Sequence, residues 1–86
     1  MVAYDLNVPH QDYATLIDKL KSYPNWCKPL KSTWLLKTPM TYSQVRDELR
    51  GYIDASDDLL VIDVTGRPAA WFGLPAEVSK WILDNL

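Results

Sequence analysis

Apolar and polar residues alternate at the start of the chain. Val2, Tyr4 and Leu6 fall on one side of an extended backbone and Ala3 and Asp5 on the other, which predicts a strand over residues 1–6. The segment Asn-Val-Pro-His at 7–10 then turns the chain, with Pro9 near the start of a helix. Within 11–22, Tyr13, Leu16, Ile17 and Leu20 recur at the spacing of a buried helical stripe, and Tyr23-Pro24-Asn25 ends it. Residues 26–38 read as extended. Pro29 interrupts any ladder there, so the pattern predicts a bend or tight hairpin at 29–32 and a stronger strand over 32–38.

The second helix has the clearest local signal. Thr41 and Gln44 have the spacing of a capping box, Met40 and Val45 occupy the staple positions, and Val45, Leu49, Tyr52 and Ile53 form one apolar face. An acidic turn at 54–58 follows. Residues 59–65, Leu-Leu-Val-Ile-Asp-Val-Thr, are apolar on both faces, which predicts a central, covered strand. Gly66-Arg67-Pro68 turns the chain, 69–73 continue as an extended piece, and Pro75 opens a third helix with Val78, Trp81 and Ile82 on its inner side. The predicted fold is α+β: a ferredoxin-like βαββαβ sheet with two helices on one face, plus a C-terminal helix. The other sheet face would be bare in a single copy, and a second copy, or another partner, is its simplest cover.

Composition narrows the picture. Eighty-six residues make one domain, 1–86. Four Trp, five Tyr and one Phe imply an aromatic core or an aromatic binding surface. A net charge of −2 argues against a surface that attracts nucleic acid everywhere, although a local basic stripe is compatible with it. A single cysteine, Cys27, forms no intrachain disulfide, and a reducing cytoplasm is the simpler reading. The sequence shows no leader pattern, and no apolar run approaches the ~20 residues that span a bilayer. No membrane partner is expected.

Several short motifs resemble those of a known family. They are Tyr4-Asp5 ending the first strand, Ser32-Thr33-Trp34 in the extended segment, the helix opened by Thr41, and Asp57-Asp58 ahead of the apolar strand. This layout, over roughly residues 1–66, resembles that of the small CRISPR-associated adaptation proteins. It is also similar to the virulence-associated protein D ribonucleases and to SinR-like bacterial proteins. The resemblance implies a ferredoxin-like homodimer with metal-dependent endoribonuclease or DNase activity, hydrolysing phosphodiesters at a site on the dimer interface. It also implies an adaptation-integrase or antitoxin partner.

Under that resemblance Asp5 is the candidate metal ligand and catalytic carboxylate, with its counterpart in a second copy completing the site. A hard cation such as Mg²⁺ or Mn²⁺ takes oxygen ligands, acidifies bound water and offsets phosphoryl charge. The plainer role for Asp5 is to cap the following turn. Ser32 is the second catalytic candidate, as a phosphate contact; the plainer role is to satisfy backbone at a bend. Asp63 interrupts an apolar strand, as an accessory ligand or, more plainly, as a carboxylate near an exposed strand end or paired with a lysine. Lys28, Lys31 and Lys37, interleaved with Trp26 and Trp34, make a candidate nucleic-acid surface, in which lysines neutralise phosphates and rings stack on bases; the plainer role for the rings, and the stronger one, is core or interface. Arg46 and Arg50 lie beside Asp47 and Glu48 and read as a solvated helix face. His10 is the lone histidine, a proton-shuttle candidate near Asp5 or simply a solvated loop residue. Two function classes follow: a metal-dependent nuclease, or a non-catalytic homodimeric adaptor that binds nucleic acid or a protein.

Overall fold

The computed structural model describes residues 1–8 and 13–86. Pro9 and His10, and with them the expected turn and shuttle, lie outside the described residues. The chain runs β1 (Val2–Asp5), α1 (Ala14–Lys21), β2 (Asn25–Leu30), β3 (Thr33–Lys37), α2 (Tyr42–Arg50), β4 (Asp58–Val61) and α3 (Ala76–Asn85). The four strands form one sheet in the order β2-β3-β1-β4, and every neighbouring pair is antiparallel. The result is a small α+β fold with three helices.

One face of the sheet carries the core. Val2 stands opposite Trp34 on β3 and Val61 on β4, and Tyr4 stands opposite Leu59. Leu16 and Leu20 of α1 and Val45 and Leu49 of α2 pack down on this row. Trp34 is fully buried and donates its indole N–H to the Tyr4 hydroxyl at 3.0 Å, so the polar atoms of both rings are matched inside the core. Trp26 packs against it, with ring centroids 5.1 Å apart. Truncating a side chain as large as Trp34 would remove roughly 3–5 kcal/mol, a large share of the stability of a small domain. Of the readings open for Trp34, a nucleic-acid surface, an interface or the core, the structure has it in the chain's own core, because its strand position faces the helices.

The capping box at the start of α2 forms in full. The Gln44 N–H donates to the Thr41 hydroxyl at 3.2 Å, and the Thr41 N–H donates to the Gln44 side-chain carbonyl at 2.9 Å. Between α1 and α2, Lys19 pairs with Glu48 and its ammonium sits 5.7 Å above the Tyr23 ring.

Two expectations are corrected. The apolar run 59–65 is not a central strand: β4 ends at Val61 and occupies a sheet edge, with β1 and β3 in the middle. Leu59 and Val61 face the core, but Leu60 is 53% exposed and Ile62 41% exposed. Two-sided apolarity at an edge reflects a face left open, and here α3 leaves it open because it lies elsewhere. Trp81 donates to the Asn25 side-chain carbonyl at 2.7 Å and Asn25 donates to Asn85 at 2.9 Å, which fastens α3 to β2. Asn25 and Cys27 alternate with the core-facing Trp26, so α3 covers the β2 side of the second sheet face. That face is therefore half covered, where the pattern predicted it bare. The second correction concerns 69–73, which form no strand; Gly66 and Gly73 take positive φ in the turns of that connection.

Candidate functional site

Asp5 is the last residue of β1 and stands directly opposite Asp58, the first residue of β4. Both are exposed. By alternation along their strands both project to the open half of the second face, beside Ala3 and Leu60. The β2–β3 hairpin closes through the Leu30–Thr33 pair, leaving Lys31 and Ser32 as a two-residue turn. The Tyr4 N–H donates to the Ser32 carbonyl at 3.1 Å, which draws that turn against β1. Asp5, Ser32, Thr33, Asp58 and Leu60 thus line one shallow hollow. The structure brings the two catalytic candidates, Asp5 and Ser32, to the same end of the sheet.

The corner after β1 is built by another carboxylate. Asp57 is buried, and one of its oxygens accepts the Asn7 N–H and the Tyr13 hydroxyl, each at 2.7 Å. Its other oxygen accepts the Asp54 N–H at 2.8 Å, while the Asp57 N–H donates to the Asp54 carbonyl. Burial pushes the Asp57 carboxyl upward. The N–H groups of Asn7 and Asp54 and the Tyr13 hydroxyl outweigh that push and hold it below the usual carboxylate range. Asn7 also donates through its side chain to the Ser56 carbonyl at 2.8 Å. The plainer role for Asp5, shaping this turn, is thereby filled by Asp57. Among the described residues the Asp5 carboxylate makes no hydrogen bond of its own.

The acidic pair at 57–58 divides by strand parity into a buried structural member and an exposed one. Sequence reading placed both in one motif and missed that Asp58 is Asp5's neighbour. The signal was the alternation of inward and outward positions entering β4. Chemically, Asp5, Asp58 and the Ser32 hydroxyl offer hard oxygen donors that suit Mg²⁺ or Mn²⁺. They supply only part of a coordination shell, and no cluster of three or more His, Cys, Asp or Glu groups occurs among the described residues.

The lysines are not gathered. Lys28 lies over the Trp34 ring at 5.3 Å, on the helix-covered face at the β2 edge. Lys31 is in the hairpin turn next to Ser32. Lys37 pairs with Asn25 at the far end of the hairpin, beside a cleft of about 280 Å³ that Leu35, Tyr42, Ile62 and Trp81 help to line. Trp26 is half-buried, donates its indole N–H to the Lys21 carbonyl and packs on the core, and Trp34 is fully buried, so the segment offers at most one ring for stacking. Asp63 is exposed just beyond β4, and its carboxylate accepts both the N–H and the hydroxyl of Thr65 rather than a lysine. No helix among the described residues is long and apolar enough to cross a membrane.

No family model, no curated protein and no solved structure matches this chain.

Proposed function

We propose that the chain is a metal-dependent nuclease acting on RNA or DNA as a homodimer of ferredoxin-like subunits, of the kind the small CRISPR-associated adaptation proteins represent. The element order βαββαβ before α3, and a sheet that reads 4-1-3-2 from the β4 edge, support the ferredoxin-like part of this reading. The observation that carries the chemical part is the position of Asp5. It is an exposed carboxylate beside Asp58 and the Ser32 turn, released from structural duty because Asp57 holds the corner.

In this reading Asp5 and Asp58 hold the cation and the Ser32 hydroxyl donates to a phosphate oxygen. A bound Mg²⁺ or Mn²⁺ would supply an acidified water and charge compensation at the phosphoryl group. One chain provides a thin donor set, so a second copy facing the open half-sheet doubles the carboxylates.

Cleavage of single-stranded RNA, structured RNA and duplex DNA should be measured with Mg²⁺ or Mn²⁺ and after chelation. Activity on at least one substrate is expected, stopped by chelation and abolished by Asp5→Asn, whose amide keeps the shape and loses the charge. Equal activity in the wild type and Asp5→Asn would overturn the site. The net charge of −2 and the thin donor set favour a second reading, a homodimeric adaptor without catalysis; retained nucleic-acid or protein binding with no cleavage under any condition would select it.

A further inference from the structure

The two edges of the sheet are built differently. At the β2 edge, Pro29 removes a backbone donor and the register shifts between Cys27 and Leu30. Lys28 adds a charge there, and α3 is fastened alongside. Proline, an irregular register and lysine are the devices that keep a strand edge from pairing with another chain. The β4 edge has none of them: it reads Asp58-Leu59-Leu60-Val61, then Ile62-Asp63.

The hydrogen-bond phase of β4 is fixed by its neighbour. Ile62 and Met1 exchange both backbone bonds, at 2.9 and 2.7 Å. In an antiparallel ladder such pairs alternate with non-bonded ones. The register Val2↔Val61, Ala3↔Leu60, Tyr4↔Leu59 then turns the backbone groups of Leu60 toward β1 and those of Leu59 and Val61 outward. No hydrogen bond from another described element reaches these outward N–H and C=O groups. Leu60 and Ile62, both exposed, form an apolar strip on the open face next to this free ladder. The end at Asp5 and Asp58 is acidic, the chain has no Lys or Arg between residues 51 and 66, and at the other end Asp63 is held by Thr65 and offset by the Met1 amino group bonded to Ile62.

We propose that β4 is a docking strand for an extended cationic peptide segment of another protein, which adds to the sheet as a fifth strand. Backbone bonding to Leu59 and Val61 gives the pairing, an apolar centre packs beside Leu60 and Ile62, and Lys or Arg at one end meets Asp5 and Asp58. The charge pattern favours such a segment over a second copy of β4. A second copy would bring the same acidic residues into the pairing, and like charges across a ladder are unfavourable.

The test uses the full chain and an acetylated, amidated peptide with a Val-Thr-Val-Thr core between Lys-Lys ends. Amide hydrogen exchange should slow at Leu59 and Val61 when the peptide is added, with binding that weakens as salt rises. A peptide of the same sequence, N-methylated on the face that pairs, should bind at least about tenfold more weakly, because main-chain bonds carry the affinity of an added strand. Glu-Glu ends should abolish binding, and Asp58→Lys should shift preference toward the Glu-ended peptide. Equal binding of the N-methylated peptide would reduce the effect to diffuse charge and overturn the proposal. Unchanged exchange at Leu59 and Val61 would overturn it too, as would protection of those amides by the protein alone that grows with its concentration, the mark of self-pairing. Circular dichroism confirms that Asp58→Lys stays folded, and the peptide series reads out without it. Cleavage assays are not involved, so failure here leaves the nuclease reading standing and the reverse holds as well.

Discussion

Asp57 shows how one carboxylate sets the end of a strand. Its charged form is held by two backbone N–H groups and a phenol, so its carboxyl lies below the ordinary value of 3.8 in the folded chain. The folded state thus binds this proton less readily than the unfolded state. The resulting stabilisation is complete above the unfolded value and is lost as pH falls through the lower folded one. Asp57→Asn should therefore lower the thermal midpoint near neutral pH by several degrees, the usual scale for a lost buried contact in a small domain. It should also flatten the dependence of that midpoint on pH below about 4. A midpoint unmoved at neutral pH would mean that Asn7 and Tyr13 hold the corner without it. Residue by residue, the sequence was uneven in what it revealed. Asp5 and Ser32 could be singled out by type and position. The division of labour between Asp57 and Asp58 could not, because it depends on where β4 begins and therefore on which carboxylate turns inward.

The helices were the legible elements, since their signals are local. Thr41 and Gln44 announce the start of α2 by spacing alone, and Leu16 and Leu20 give the buried stripe of α1. The strands were less legible. An apolar pattern reports how much of a strand avoids water but not which neighbours lie beside it, so β4 read as central and stands at the edge. Between the helices, burial pushes the Tyr23 phenol up to about 12, and the nearby charge of Glu48 adds to the push. The folded state keeps this proton more tightly than the unfolded state. The stabilisation is full below the ordinary phenol value of 10.0 and is lost as pH rises from there through about 12. Titration of tyrosinate absorbance should show Tyr23 ionising at about 12, together with the loss of helical circular dichroism. Ionisation near 10 in a chain that keeps its helices would contradict the packing of α1 against α2.

At the scale of the molecule, one sheet face is closed by two helices and the other only half closed by a third. That asymmetry concentrates the exposed apolar surface and the exposed carboxylates of Asp5 and Asp58, the latter 3.4 Å from the Asn7 side-chain amide that donates to it, in one region. If a second copy covers it, sedimentation equilibrium at micromolar concentration should give twice the chain mass. Leu60→Lys should return the chain to monomer with its helical signal intact, because the side chain it replaces is not part of the core. A wild type that stays monomeric would remove the dimer on which the thin metal site depends. The sequence implied an uncovered face but could not say how α3 would divide it, because the bonds from Asn25 to Trp81 and Asn85 join residues far apart in the chain.

Those same bonds make α3 a detachable cover, and the chain carries its own reporter for it. Cys27 is the only thiol; it is buried, lies on the α3 side of β2, and burial pushes its ionisation upward. With α3 fastened beside it at Asn25, a thiol reagent should reach it chiefly in molecules where the helix has lifted. The rate of labelling, divided by the rate for an unfolded chain, therefore counts the fraction open at any moment. Asn25→Ala, which cuts both polar anchors, should speed labelling by about tenfold or more if each anchor is worth the usual net value of a hydrogen bond. The clock needs no engineered cysteine and no dye attached in advance. It would measure breathing of one helix in an otherwise closed molecule, a motion to which a melting curve is blind.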